Sequence, residues 1–90
     1  MIGRGETAED EFRNAWETVG AVLAEAGAGY ADIVDSTLYI VDLAANSAAM
    51  ARIKDEFIQA PYSPSTWIGV SSLIYPKARA EIKITARVPQ

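Results

Sequence analysis

Three charged side chains at two-residue spacing near the C-terminal end are the best candidates for chemistry in this chain: Arg79, Glu81 and Lys83. Alternate residues of a β-strand point to the same side, so the three would share one face. Flanking cations keep a carboxylate ionised, and an ionised carboxylate can orient water or accept a proton. The same alternation is common in solvated or interfacial charge ladders, and on pattern alone we favour that plainer interpretation.

The residue types that are missing limit the chemistry further. The chain has no His and no Cys, which excludes the usual general base, serine-type triads, thiol chemistry, disulfides and most zinc sites. The acidic run Glu9–Glu11 occupies consecutive positions of a predicted helix, whose side chains diverge, so we expect it to favour the helix dipole rather than hold a cation. Any chemistry must therefore use carboxylates, hydroxyls, Lys, Arg or backbone groups.

Charge and length restrict the possible partners. Ninety residues with a net charge of −4 predict one small domain, residues 1–90, and disfavour a general nucleic-acid binder. The acids are concentrated in residues 1–59, whereas residues 60–90 hold four cations and only Glu81 as an acid. No apolar run is long enough for a membrane span and no secretion signal opens the chain, so we expect a soluble, cytoplasmic protein.

Periodicity places these residues in the element order α-β-α-β-β. Thr7 is a good N-cap for a first helix, whose apolar stripe ends before Gly27. A strand is predicted over 32–42, and a second helix follows, capped by Asn46 or Ser47. Pro61 and Pro64 break that helix. The remaining strands are predicted over 62–72 and, with complete alternation, over 77–88, paired as a closing hairpin.

Both helices carry a single apolar stripe, so we expect both to pack on one face of the sheet. That face is predicted to take Val34, Leu38, Ile40, Ile68, Val70, Ile82 and Ile84. No helix would cover the opposite face, which would hold Tyr39, Val41, Ser65, Trp67, Gly69, Ser71, Arg79, Glu81, Lys83 and Arg87. An uncovered face with two large aromatic residues predicts self-association, so the segment from Ser65 to Ser71 would face another subunit or a cleft beside one.

Several stretches resemble the reactive-intermediate deaminase family, RidA, also called YjgF or endoribonuclease L-PSP. They are "TVGAVLAEAGAGYADIVDSTLYIVDL", "MARIKDEF", the Pro-rich break, and "STWIGVSSL" with "AEIKITARV". The resemblance extends from about Thr7 to Val88. It implies an α+β, chorismate-mutase-like mixed sheet with two helices on one face, a homotrimer with clefts between subunits, and cofactor-free hydrolysis of reactive enamines and imines.

The resemblance also implies site residues. Glu81 matches the cleft glutamate that positions water, and Trp67, Arg79 and Lys83 would lie beside the substrate. Ser65 stands where active deaminases carry the Arg that grips the substrate carboxylate. Losing two charge-assisted hydrogen bonds of about 1.5–3 kcal/mol each predicts negligible hydrolysis of small 2-imino acids.

The family's domain begins with extra strands that help build the cleft. Here the first helix follows Met1 closely, so we expect that layer to be absent, through truncation or in a reduced domain. Two functions stay open: a trimeric binder or hydrolase of a small metabolite, and a structural or regulatory oligomer with a vestigial cleft. Ribonuclease activity has only the older family name behind it and conflicts with the acidity.

Overall fold

A computed structural model describes residues 1–88 of the chain. Its elements follow the predicted order, with a short 3₁₀ turn added before the first strand. They are α1 (Ala8–Glu25), the turn Tyr30–Asp32, β1 (Ile33–Val41), α2 (Leu43–Phe57), β2 (Ser65–Val70) and β3 (Ala80–Ala86). None of the helices described is long and apolar enough to cross a membrane.

Helix α1 begins and ends as its sequence predicts. The backbone N–H of Asp10 donates to Thr7 Oγ1 at 3.1 Å, which satisfies one of the free donors of the first turn. Gly27 takes a left-handed conformation with φ of 76° beyond the last turn. The stripe of α1 is buried over its length and forms one side of the core: Phe12, Ala15, Trp16, Val19 and Leu23.

Helix α2 begins earlier than predicted, so the assignment of Asn46 or Ser47 as its cap is wrong. The cap is Asp42, in a left-handed conformation with φ of 54°, and its carboxylate accepts from the Ala45 N–H at 3.3 Å. Asp tolerates this conformation better than most residues, which lets the chain turn directly from β1 into the helix. Asn46 instead donates from Nδ2 to the Val41 carbonyl at 2.7 Å.

An ion pair joins the two helices on their outer surface. Arg13 donates from Nε and Nη2 to the two carboxylate oxygens of Glu56, at 3.1 and 2.9 Å. The hydrogen bonds from Arg13 lower the pKa of Glu56. A lowered folded-state pKa means that this contact stabilises the protein above the ordinary Glu pKa and is lost as acid protonates the carboxylate.

The sheet has the order β2-β1-β3, with β1 central. β1 runs parallel to β2, to which α2 connects it, and antiparallel to β3. The predicted closing hairpin is therefore wrong, because β3 does not pair with β2. Residues 71–79 carry the chain across to the other edge of β1, which places Glu81 opposite Tyr39.

The faces of β1 and β3 are as predicted, but the face of β2 is reversed. Parallel partners share a face, and the register joins Leu38 to Trp67 and Ile40 to Gly69. Trp67 thus packs against the core on the helix side, while Ile68 is 39% exposed on the open side. A Cβ at Gly69 would lie only 3.4 Å from Leu43 Cβ, so the small residue lets α2 approach the strand.

The prediction for Val34 also fails, for a local reason. The pairing of β1 with β3 is irregular between Ile33 and Asp35. Such an irregularity changes which residues point to the core. Ile33 is consequently buried, whereas Val34 is 40% exposed.

The resulting architecture is the expected α+β fold with both helices on one sheet face. The opposite face carries Tyr39, Val41, Ile68, Glu81 and Lys83, and no helix of residues 1–88 covers it.

The alternation on β3 can be tested with one cation placed on each face. Ile82→Lys puts an ammonium group into the core and should lower the free energy of unfolding by more than about 4 kcal/mol. Thr85→Lys is the control, since Thr85 is exposed and faces Asp35 across the strands. Urea denaturation followed by circular dichroism measures both. Equal loss of stability in the two variants would contradict the assigned faces.

Candidate functional site

Glu81 lies at the boundary between two neighbouring cavities. The larger one, of about 730 Å³, is bounded by the N-terminal segment 1–5, by Glu11 of α1 and by the loop before β3. The smaller one, of about 480 Å³, lies on the open sheet face beside Tyr39 and Lys83. Among residues 1–88, the carboxylate of Glu81 forms no ion pair and no hydrogen bond, so it is available to a ligand.

The N-terminal segment forms one wall of the larger cavity. Ile82 N–H donates to the Met1 carbonyl at 2.8 Å, and the Met1 amino group donates to the Ile82 carbonyl. Gly3 packs so tightly on α1 that a Cβ there would overlap the backbone of Glu11 and Ala15. The segment is therefore fixed to both β3 and α1.

Arg79 points away from Glu81, which corrects its assignment as a flanking site cation. Its Nη1 donates to Glu11 Oε1 at 2.8 Å, and its Nη2 donates to the Glu6 carbonyl at 2.9 Å. The backbone N–H groups of Arg79 and Ala80 donate to Glu11 Oε2 at 2.7 and 3.2 Å. Glu11 is only 3% exposed, and a buried carboxylate requires this compensation.

The role of Glu11 is hard to see in the sequence because its acidic neighbours Glu9 and Asp10 explain the same charge by helix capping. A usable signal was present, since Glu11 lies four and eight residues before Ala15 and Val19, within the apolar stripe of α1. A carboxylate at such a position has to find a partner inside the protein. Its partner is 68 residues away along the chain.

Ser65 and Trp67 lie on the opposite side of the sheet from Glu81. Both belong to β2, the edge strand that β1 separates from β3. Trp67 donates from Nε1 to Ser65 Oγ at 2.9 Å, so these two side chains contact each other. Within one chain, the fold thus brings Glu81 near Lys83 and Tyr39, and does not bring Ser65, Trp67 or Arg79 to them.

The arrangement around Glu81 suits acid–base chemistry in water. A free carboxylate beside a cavity can accept a proton from a bound water molecule. Lys83 lines the smaller cavity together with Glu81 and adds a positive charge to it. In residues 1–88, no cluster of three or more His, Cys, Asp or Glu side chains could hold a metal ion.

Comparison with known proteins finds a family and individual relatives whose sequences match most of this chain. The family described as Endoribonuclease L-PSP matches residues 2–88. RutC family protein YjgH of Escherichia coli is 30% identical over 82 residues, which cover 91% of this chain. RutC family protein YoaB of the same organism is 31% identical over 79 residues, or 88% of this chain and 68% of YoaB.

A solved structure shows the same fold. NMB1025 of Neisseria meningitidis, described as a member of the YjgF protein family, superposes with a TM-score of 0.92 at 29% identity. The match covers all of this chain and 76% of that one. The present chain spans 62% of the length of YjgH.

The Glu11–Arg79 pair provides a test of what fixes the larger cavity. Arg79→Ala leaves a buried carboxylate with two backbone donors, so the free energy of unfolding should fall by about 3 kcal/mol. Arg52→Ala is the control, because its ion pair with Glu9 is exposed and should contribute less than about 1 kcal/mol. Urea unfolding measures the free energy of unfolding of both variants. A similarly small loss of stability in the two would refute a structural role for Arg79.

Proposed function

Because the chain belongs to the endoribonuclease L-PSP family, the family also called YjgF or RidA, we propose that it binds a small metabolite at Glu81 and hydrolyses a reactive imine or enamine there. This proposal rests on the position of Glu81. Its free carboxylate borders two cavities, of about 730 and 480 Å³, and both volumes suit a small molecule.

Glu81 acts in this scheme as the base that activates water. The carboxylate accepts a proton while the water oxygen forms a bond to the carbon of the C=N group. The nitrogen takes a proton from the solvent, which gives a neutral carbinolamine. Glu81 then returns its proton to that nitrogen, and the C–N bond breaks with its electron pair leaving on ammonia. The hydroxyl group releases its proton to the solvent as the C=O bond of the carbonyl product forms. An enamine first takes up a proton at carbon and enters the same sequence as the imine.

The assembly that we propose is a homotrimer with its ligand clefts between subunits. Its support is the open sheet face, where Ile68 is 39% exposed and Tyr39 and Val41 are partly buried without a covering helix. A second copy would remove this apolar surface from water. In such an assembly, Ser65 or Trp67 of one chain could approach the Glu81 of another chain.

A non-catalytic oligomer with a vestigial cleft is the alternative function. That function would be favoured by a large side chain filling the site, and Trp67 is the side chain that the sequence suggests for it. Trp67 instead packs against the core and lines neither cavity at Glu81. Within one chain, the cavities at Glu81 are therefore not filled by Trp67.

The hydrolytic role predicts that activity depends on Glu81. An amino-acid oxidase generates an imine, and its decay is followed with and without the protein. Glu81→Gln should lower the acceleration by about 10²- to 10⁴-fold, the usual contribution of a general base. Glu25→Gln, an exposed acid at the end of α1, should change nothing. A folded wild-type protein that accelerates neither this 2-imino acid nor an imine without a carboxylate, which would not need an Arg at position 65, would favour the non-catalytic oligomer.

The trimer predicts that the open face is sensitive to charge. Ile68→Lys should convert the assembly to a folded monomer, because it places a cation in the proposed apolar interface. Val22→Lys alters an equally exposed apolar residue on α1, 45% exposed, and should leave the assembly intact. Light scattering coupled to size exclusion measures both masses. A wild-type monomer at micromolar concentration would exclude the trimer.

A further inference from the structure

Two cations in the wall of the larger cavity are not paired with any acid among the described residues. Arg4 and Lys77 line this cavity together with Glu81, and both are exposed. Within the described residues, neither side chain takes part in an ion pair or a hydrogen bond. Arg79, by contrast, is fully engaged by Glu11 and Glu6. The cavity therefore offers two free cations and one free carboxylate.

Arg4 is held where it can act on a ligand. Its backbone N–H donates to Asn14 Oδ1 at 2.9 Å, and the preceding Gly3 packs directly on α1. Fixing the backbone reduces the conformational freedom that a side chain loses when it binds. Lys77 lies across the cavity wall in a turn closed by the Ala78 N–H, which donates to the Tyr75 carbonyl at 3.0 Å.

The charge of this cavity is opposite to that of the chain. The protein as a whole carries a net charge of −4. Around the cavity, however, the buried charge of Glu11 is compensated by Arg79, which leaves Arg4 and Lys77 against Glu81. Concave, partly desolvated surfaces focus such local charge, so this region should attract an anionic group.

We propose that Arg4 and Lys77 bind the carboxylate of a small zwitterionic ligand whose cationic nitrogen faces Glu81. A guanidinium presents a planar fork that matches a carboxylate, and the lysine ammonium adds a point charge. Glu81 in turn favours a protonated nitrogen and repels a second anionic group. The ligand class is thus a small molecule with one carboxylate and one cationic nitrogen, such as an amino acid or a protonated 2-imino acid.

This inference rests on the proposed function, since it assumes that Glu81 faces the reacting group. It adds a carboxylate contact on the N-terminal segment and the loop before β3. On β2, Ser65 offers only a neutral hydroxyl, and that hydroxyl already accepts from Trp67. Arg4 and Lys77 would therefore recover part of the binding that an Arg at position 65 would have given.

Three probes of similar size separate the two charge contacts. They are 2-aminobutanoate, a zwitterion; 2-oxobutanoate, an anion without the cationic nitrogen; and 1-aminopropane, a cation without the carboxylate. Binding is followed by chemical-shift changes in proton–nitrogen NMR spectra of the full chain, which also report whether each variant is folded. The wild-type protein should bind the zwitterion at least about tenfold more tightly than either other probe.

The variants assign each contact to a residue. Arg4→Gln and Lys77→Gln should each weaken binding of 2-aminobutanoate and 2-oxobutanoate by about tenfold and leave 1-aminopropane unchanged. Glu81→Gln should weaken 1-aminopropane and the zwitterion but not 2-oxobutanoate. Arg87→Gln is the control, an exposed cation outside both cavities, and should have no effect.

The outcomes separate this inference from the hydrolytic function. Absence of binding of all three probes, or binding that survives both Arg4→Gln and Lys77→Gln, would overturn the assignment of these residues. A wild-type protein that binds the zwitterion through Arg4 and Lys77 but does not accelerate imine hydrolysis would overturn only the proposed reaction. Glu81-dependent hydrolysis that is unaffected by both cation variants would overturn the inference and leave the reaction in place.

Discussion

The buried carboxylate of Glu11 is the contact on which the site depends. It accepts hydrogen bonds from the Arg79 guanidinium and from two successive backbone N–H groups at the start of β3. These bonds fix the beginning of β3 against α1 and leave Glu81 two residues further along, outside the core. A charge taken out of water in this way is tolerated only because its partners are complete. The same contact removes Arg79 from the set of residues that a ligand can use.

The parts of the fold that sequence predicts are those in which periodicity alone decides the outcome. The stripe of α1 and the alternation of β3 leave one way to bury their apolar residues, and both are found as expected. For β2 the alternation does not decide which face is buried. One face carries Trp67 among small residues, and the other carries Ile68 beside a second apolar residue. Its face was decided by α2, which approaches through Gly69.

The site was less predictable because its key contacts are distant in sequence. The spacing of Arg79, Glu81 and Lys83 correctly indicates a shared strand, but it cannot show that a carboxylate 68 residues away attracts Arg79. The role of Arg4 was equally hidden, since it requires the N-terminal segment to lie beside β3. A local feature can be equally hard to predict. The left-handed conformation of Asp42 lets α2 begin earlier than its sequence indicates.

The two sides of the sheet have different tasks. The helix side stabilises the fold, and the open side together with the edge of β3 presents Glu81, Lys83 and the exposed apolar residues. Glu81 lies in a cavity whose free cations favour anions, although the chain is acidic.

A thiol probe tests that claim most directly, because the protein has no cysteine of its own. Glu81→Cys and the matched surface variant Glu25→Cys each introduce one reactive group in place of one acid. The measurement is the ratio of alkylation rates with iodoacetate, an anion, and iodoacetamide, which is neutral. We expect a clearly higher ratio at position 81 than at position 25, and we expect Arg4→Gln to lower the ratio at position 81. An equal or lower ratio at position 81 would show that the cavity does not attract anions.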